Sequence, residues 1–193
     1  MMPNSDELYA KLEGDEKVVL FAIGVLGQPL RTRLKLEKIL FLVSKVFGDL
    51  SELFQFEKHL YGPYSPRIMA ILDDLIVLEL VIRVGSAYQL TSLGQKVYRR
   101  MKPSPELSQV MEDFKQMLND LTDDEVMTYI YAFHPDYIAE STMWDSLKPK
   151  RKDVAVRLLV KQKITFSKAA ELADMEGWAF ADYLSKRGIA WRS

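Results

Sequence analysis

The sequence contains no cysteine and only two histidines, His59 and His134, among its 193 residues. Without cysteine the chain can form neither a disulfide framework nor a thiolate zinc site. The two histidines lie far apart in sequence, so a histidine-rich metal centre is not expected. No apolar run approaches the ~18 residues of a membrane-spanning helix, and the acidic N-terminus is unlike a signal peptide. These absences predict a cytoplasmic protein that has no cofactor and does not enter a membrane.

Patterns typical of catalysis are also missing. The sequence has no glycine-rich phosphate loop, and neither histidine has a carboxylate or nucleophile at motif spacing. The adjacent pairs Asp73-Asp74 and Asp123-Asp124 would point apart on a helix, which indicates a solvated face and a helix N-terminus. We therefore expect a protein that is not an enzyme.

The chain has 48% hydrophobic and 27% charged residues, which is ordinary for a globular protein. Its net charge of −1 hides an asymmetry, because residues 148–193 hold 11 Lys+Arg and 5 Asp+Glu, whereas residues 1–147 hold 15 and 22. Such a split indicates a basic C-terminal segment that meets a polyanion or an acidic partner. The alternative is that the two oppositely charged parts attract each other.

Residues 61–94 show the most regular pattern in the chain. Ser65 can cap a helix that begins with Pro66, and the apolar stripe of this helix is followed by a predicted hairpin over residues 80–90. Residues 54–61 alternate, which predicts a third strand, and helical periodicity precedes them over 15–26 and 32–48. This order predicts a mainly α fold, specifically a winged helix-turn-helix with a three-stranded wing sheet.

A proline-rich breaker at residues 102–105 and a basic stretch with Pro149 at residues 148–152 divide the chain. The predicted domains are a winged helix-turn-helix over 15–102, a helical connector or dimerisation segment over 103–147, and a basic helix-turn-helix domain over 148–193. Thr122 and Glu125 form a capping-box pattern in the connector. Residues 154–160 fit a helix or a strand, and helices are predicted over 167–173 and 178–186 around a tight turn.

The N-terminal part resembles the prokaryotic winged-helix family that includes the YwgA-like proteins, and it is similar to the Panacea (SocA-like) domains. The resemblance covers roughly residues 15–145. It is carried by Lys35-Leu36-Glu37-Lys38-Ile39-Leu40-Phe41, Tyr61-Gly62-Pro63-Tyr64-Ser65 and Leu90-Thr91-Ser92-Leu93-Gly94.

The last ~45 residues resemble a family of short, uncharacterised archaeal and bacterial antitoxin-like helix-turn-helix proteins. This resemblance is carried by Ser167-Lys168-Ala169-Ala170-Glu171-Leu172-Ala173, with Phe180, Leu184 and Arg187-Gly188-Ile189. Both resemblances imply binding of DNA or of a toxin-like protein partner, and neither implies an enzyme.

The leading hypothesis is a DNA-binding transcriptional regulator, including the antitoxin-type autorepressor, that works as a homodimer on double-stranded DNA. The alternative is a protein-interaction module, an antitoxin or a proteolytic adaptor, that uses the winged helix as a scaffold for a partner such as a toxin. In a winged helix the helix that begins at Pro66 would be the recognition helix. Its acidic residues Asp73, Asp74 and Glu79 favour the alternative for the N-terminal part. The candidate DNA contacts are Arg31, Arg33, Lys35, Lys38, Tyr64, Ser65, Arg67 and Arg83, then Lys150, Arg151, Lys152, Lys168, Lys186 and Arg187.

Overall fold

The computed structural model describes residues 4–191 and is mainly helical, with 65% helix and one two-stranded sheet. Its contacts divide the described chain into two compact units. The first unit consists of residues 4–57 and 63–120, and the second consists of residues 58–62 and 121–191. The sequence-based boundaries near residues 102 and 147 stay a prediction.

In the first unit, helices begin where a side chain accepts a free backbone N–H. Thr32 Oγ accepts the N–H of Lys35 at 3.2 Å, and Ser65 Oγ accepts that of Ile68 at 3.3 Å. A 3₁₀ turn at Val25–Gly27 follows the second helix. The elements are α1 (Ser5–Lys11), α2 (Gly14–Gly24), α3 (Arg33–Val46), α4 (Gly48–Phe54), α5 (Pro66–Val77), β1 (Val81–Val84), β2 (Ala87–Leu90), α6 (Ser92–Tyr98) and α7 (Pro105–Leu118).

The prediction of a three-stranded wing sheet is wrong, because the sheet of the described residues has two antiparallel strands, β1 and β2. In the predicted third strand, Phe54 ends α4 and Gln55 has a left-handed backbone with φ of 47°. Glu57 forms only an isolated bridge with Tyr64. The alternating aromatics had another cause: the rings of Phe54 and Phe56 pack together, 6.3 Å apart, across this turn.

The core of the first unit forms around α3, which is buried continuously from Lys35 to Ser44. Burial of each large aliphatic side chain contributes roughly 1.5–3 kcal/mol, so this apolar centre is the main stabilising feature of the unit. Fully buried members include Leu20, Leu36, Ile39, Leu40, Leu72 and Leu75.

The second unit is helical throughout its described elements. The capping box predicted at Thr122 and Glu125 is confirmed, since each side chain accepts the other residue's backbone N–H. Residues 154–160, left open as helix or strand, are helical. The elements are α8 (Asp123–Phe133), α9 (Trp144–Leu147), α10 (Arg151–Val160), α11 (Phe166–Leu172) and α12 (Gly177–Lys186), with 3₁₀ turns at Pro135–Tyr137 and Lys148–Lys150.

Two helices predicted near the C-terminus are present as α11 and α12. Thr165 caps α11, and Asp174 takes the left-handed conformation, φ 59°, in the turn between the helices. Ala169 and Ala170 are buried, and their small side chains permit close packing. The final two residues of the predicted basic domain, 192–193, lie outside the described residues.

Candidate nucleic-acid interface

Three of the predicted DNA contacts in the first unit are buried: Lys35 is 3% exposed, and Lys38 and Ser65 are 0% exposed. Lys38 Nζ donates to the Pro63 carbonyl at 2.7 Å and to the Glu37 carboxylate at 3.0 Å. Burial lowers the pKa of Lys38, and the neighbouring Glu37 carboxylate acts in the opposite direction. These side chains hold the interior of the unit together and are not presented to solvent.

Glu37 extends this buried network to the start of α5. One of its oxygens accepts the Ser65 N–H at 3.2 Å, and Ser65 Oγ donates to the Phe54 carbonyl at 2.5 Å. Two of the motifs that carry the N-terminal resemblance therefore meet in one polar network. Their burial was not predicted, since Lys35, Lys38 and Ser65 were expected to contact DNA.

Three of the predicted arginine contacts in the first unit, Arg31, Arg33 and Arg67, have acidic partners. Arg31 lies 3.3 Å from Asp120, and Arg33 pairs with Asp73. Arg67 pairs with the buried carboxylate of Asp15. Each of these three arginines thus has a carboxylate partner, and the partner of Arg67 is itself buried.

The two remaining candidates in the first unit, Tyr64 and Arg83, form hydrogen bonds that involve main-chain atoms at turns. Tyr64 exchanges two main-chain hydrogen bonds with Glu57, of 2.8 and 3.0 Å. Arg83 Nε donates to the Gly85 carbonyl at 2.8 Å, at the turn of the hairpin. The predicted contacts of this unit therefore do not combine into one strongly basic surface.

In the second unit, Arg151 is largely a structural residue. Its side chain is 14% exposed, and its Nε donates to the Leu172 carbonyl at 2.8 Å. A second guanidinium nitrogen donates to the Glu171 carbonyl at 3.3 Å. Arg151 thereby binds carbonyls at the C-terminal end of α11, where the helix itself supplies few N–H donors.

Two more of the predicted cations face acidic or aromatic neighbours. Lys150 Nζ lies 2.9 Å from a carboxylate oxygen of Asp124. Lys168 Nζ lies 3.2 Å from Glu171 and 3.7 Å from the centre of the Phe133 ring. The Lys150 pair links the 3₁₀ turn at Lys148–Lys150 to α8, and the cation–π contact of Lys168 with Phe133 links α11 to α8.

Of the remaining three candidates, Lys152 of α10 and Arg187 at the end of α12 meet at the Tyr183 ring, and Lys186 precedes Arg187 in the chain. The Arg187 guanidinium lies 4.4 Å from the centre of the Tyr183 ring, and Lys152 Nζ lies 5.8 Å from it. Lys186 follows on the same helix. We call these four residues the Tyr183 face.

Two carboxylates border the Tyr183 face. Arg187 lies 3.1 Å from Asp153, and Lys186 lies 2.7 Å from Asp182. All four side chains of these two pairs are more than half exposed. Exposed pairs of this kind contribute at most about 1 kcal/mol, so a phosphate can compete for the cations.

Sequence reasoning missed Tyr183. Its spacing of four residues from Arg187 places the two side chains on one side of a helix, which was readable from the sequence. The approach of Lys152 was not readable, because it depends on the packing of α10 beside α12.

The charge difference between residues 1–147 and 148–193 nearly disappears when the chain is divided into its two structural units. Residues 58–62 and 121–193 hold 12 Lys+Arg and 11 Asp+Glu, and the other residues hold 14 and 16. The reason is visible at Glu125, which is 1% exposed and lies 3.1 Å from Arg157 and 3.5 Å from Lys161. Acidic Glu125, from the acidic part of the sequence, thus pairs with Arg157 and Lys161, from the basic part, and all three lie in the second unit.

Trp178, at the start of α12, is 79% exposed. The sequence left it as a core or interface residue, and this exposure excludes the core. Glu176 and Asp182, both exposed, flank it along the chain. The first half of α12 therefore presents an aromatic ring and carboxylates, and it lacks the Arg, Asn or Gln side chains that read bases.

The described residues 4–191 contain no group of three or more acidic or histidine side chains suited to a metal ion. In the same part of the chain, no helix is both long enough and apolar enough to cross a membrane.

Comparison with known proteins gives one family match. Residues 134–193 match the model of a family described as Uncharacterised protein family (UPF0175). No curated protein and no solved structure matches the chain significantly. The N-terminal resemblance to YwgA-like and Panacea domains receives no support from these comparisons. The matched residues include α9 to α12, and the match fits the resemblance drawn from the C-terminal residues. The Tyr183 face lies within the matched residues.

Proposed function

We propose that the protein is a DNA-binding regulator that contacts the phosphate backbone of double-stranded DNA through the Tyr183 face. The observation that supports this is the convergence of Lys152 and Arg187 on the Tyr183 ring, with Lys186 adjacent. Nonspecific affinity for DNA arises from cations that replace condensed counterions. A homodimer, as the sequence predicts, would present two such faces.

The chemistry of α12 favours contacts to the backbone over contacts to bases. Lysine and arginine side chains bind phosphates, and phosphate contacts orient a protein on a duplex without reading its sequence. The Tyr183 hydroxyl adds a further hydrogen-bond donor for a phosphate oxygen. Because Trp178 and Asp182 occupy the exposed positions earlier in α12, we expect weak discrimination between DNA sequences.

The test is fluorescence anisotropy of a labelled DNA duplex at several salt concentrations. Binding should weaken steeply with salt. The double variant Lys152→Met/Arg187→Met should lower the slope of log affinity against log salt by about 2, because each neutralised phosphate contributes ~0.9 to that slope. Lys11→Met is the matched control, since it removes an exposed lysine of α1 and should leave the slope unchanged.

Circular dichroism of the double variant establishes that the helices remain formed. Absence of DNA binding by the unaltered protein at low salt contradicts the proposal. An unchanged salt slope in the folded double variant also contradicts it, because the cations of the Tyr183 face would then not bind phosphate.

The exposure of Trp178 favours a second candidate function, the binding of a protein partner. Tryptophan is enriched among the residues that dominate protein interfaces, and the flanking Glu176 and Asp182 would suit a basic partner. Under this alternative, a stoichiometric protein co-purifies with the chain after nuclease treatment and is absent from preparations of Trp178→Ala. Retention of DNA binding by that variant would separate the two functions.

A further inference from the structure

A cavity of about 430 Å³ lies in the first unit, where α2, β2 and α6 meet. Its volume falls within the range of roughly 300–1,000 Å³ that is typical of small-molecule sites. One wall is apolar and is formed by Ile23, Leu90 and Tyr98. The Tyr98 ring stacks on Phe21 with centroids 5.5 Å apart, which holds it as a flat surface.

The cavity also has polar lining residues. Gln28, Gln89 and Gln95 line it together with Arg99. All four residues are exposed, and none of their side chains forms a hydrogen bond or ion pair with another residue of the described chain. Three amides and one guanidinium thus remain available to a ligand.

Arg99 differs in this respect from the other arginines of the first unit. Within the described residues it has no carboxylate or carbonyl partner, whereas Arg83 donates to the Gly85 carbonyl. The arginines paired with an aspartate are Arg31, Arg33, Arg67 and Arg100. The arginine of this unit whose charge has no partner among the described residues, Arg99, therefore lines the cavity.

The backbone at the edge of the cavity, where Gly27 lines it and Leu26 precedes it, has an unusual conformation. Leu26 and Gly27 have φ of 64° and 61°, in the left-handed region that a leucine rarely adopts. Lys115 Nζ, buried behind them, donates to the carbonyls of Ile23 at 2.6 Å and Gln28 at 3.0 Å, both from residues that line the cavity. Strained backbone that the surroundings hold in place is typical of ligand sites.

Gly24 brings the cavity walls together. A Cβ on this residue would lie 2.6 Å from Leu90 Cδ1 and 2.7 Å from Tyr98 Cδ2. The absence of a side chain therefore lets α2 approach both β2 and α6. Packed helices and a strand therefore form part of the cavity wall.

We propose that this cavity binds a small carboxylate that has a flat apolar body. The carboxylate pairs with Arg99, for which a planar bidentate geometry is available, and the flat body lies against Tyr98, Ile23 and Leu90. The three glutamines bind polar substituents of the ligand. This inference concerns the first unit and does not depend on the proposed DNA binding.

The test uses three probes of matched shape, namely benzoate, benzamide and benzylammonium, in ¹H–¹⁵N correlation spectra of the full chain. Benzoate should shift the amide signals of Gly24, Gly27 and Gln95, and it should bind at least about tenfold more tightly than the other two probes. The variant Arg99→Met should bind benzoate about tenfold more weakly, while its weak affinity for benzamide stays unchanged.

Lys96→Met is the control for charge, because Lys96 is an exposed cation of the same helix that does not line this cavity. It should bind benzoate as the unaltered protein does, and the spectra themselves report whether each variant is folded. Three results overturn the proposal: no shift with any probe, shifts confined to other regions, or equal binding of benzoate and benzamide.

Discussion

Lys115 and Lys38 are both buried lysines of the first unit, but their surroundings differ. Lys38 has the Glu37 carboxylate beside it, whereas Lys115 Nζ donates to main-chain carbonyls of Ile23, Val25 and Gln28. The ammonium supplies three N–H donors, which is the number that these carbonyls require. Burial lowers the pKa of Lys115 to about 7.

Lys115 should make stability depend on pH. Its pKa is about 7 in the folded chain, against the ordinary lysine value of 10.5, so between these values the folded state holds fewer protons than the unfolded state. The free energy of unfolding should therefore rise with pH from about 7 towards 10, by at most about 1.4 kcal/mol per pH unit. Below pH 7 the cost of the buried charge is fully present.

Urea denaturation at several pH values measures this dependence. In Lys115→Met the rise attributable to this residue should be absent, although the variant is less stable at all pH values because three buried carbonyls no longer have their donor. Lys11→Met should retain the rise. A variant that keeps the full pH dependence would show that another group causes it.

The sequence did not distinguish exposed cations from buried ones. Arg33, Lys35 and Lys38 look alike on a predicted basic helix. In the structure Arg33 is exposed beside Asp73, and the other two are buried with carbonyl or carboxylate partners. Whether a cation meets solvent depends on what packs over it, which residues distant in sequence decide.

At the scale of elements, Glu125 joins the start of α8 to α10. Its side chain accepts the Thr122 N–H at 2.9 Å and pairs with Arg157 and Lys161. A buried carboxylate with three donors stabilises both the helix N-terminus and the packing of the two helices.

Glu125→Gln should destabilise the second unit by about 2 kcal/mol, because the amide keeps the shape of the side chain but removes the charge-assisted bonds. Thr122→Ala, which removes only the cap, should cost about 1 kcal/mol. Chemical denaturation, followed by helical circular dichroism, measures both. Since the two residues share one capping box, the double variant should cost less than the sum. Additive effects would contradict this coupling.

The elements themselves were largely predictable from local chemistry. A helix start can be predicted from the capping residue and one or two of its neighbours. Thr32, Ser65 and Thr122 each cap a helix in the structure. The sheet was less predictable, since alternation at Phe54 and Phe56 resembles a strand. The residue that meets the free edge of β2 is Leu30, which exchanges two 2.8 Å hydrogen bonds with Tyr88. A single-residue bridge leaves no periodic signal.

At the scale of the whole chain, residues 58–62 belong to the second unit although residues on both sides belong to the first. The Thr142 N–H donates to the Leu60 carbonyl at 3.3 Å. Gly62 has φ of 78°, and a Cβ there would lie 2.8 Å from Met127 Cε and 3.5 Å from the Tyr131 ring.

Gly62→Ala should therefore destabilise the second unit by about 1–2 kcal/mol, from the left-handed backbone together with the contact on Met127. Amide hydrogen exchange should show faster opening of α8 in this variant. Gly85→Ala is the matched control: its φ is 63°, but no atom lies within 4 Å of the added Cβ, and it sits on the hairpin of the first unit. Equal effects of both variants on α8 would contradict the assignment of residues 58–62.

The sequence by itself determined the mainly helical class, the positions of most helices, their caps and the absence of cysteine chemistry, because these depend on residues a few positions apart. Only the tertiary structure decided which cations are buried, which are paired and which gather at Tyr183. It also decided that the cavity beside Arg99 exists and that residues 58–62 belong to the second unit. Those features arise from contacts between residues as much as 92 positions apart, such as Lys115 with the Ile23 carbonyl, for which local patterns carry no information.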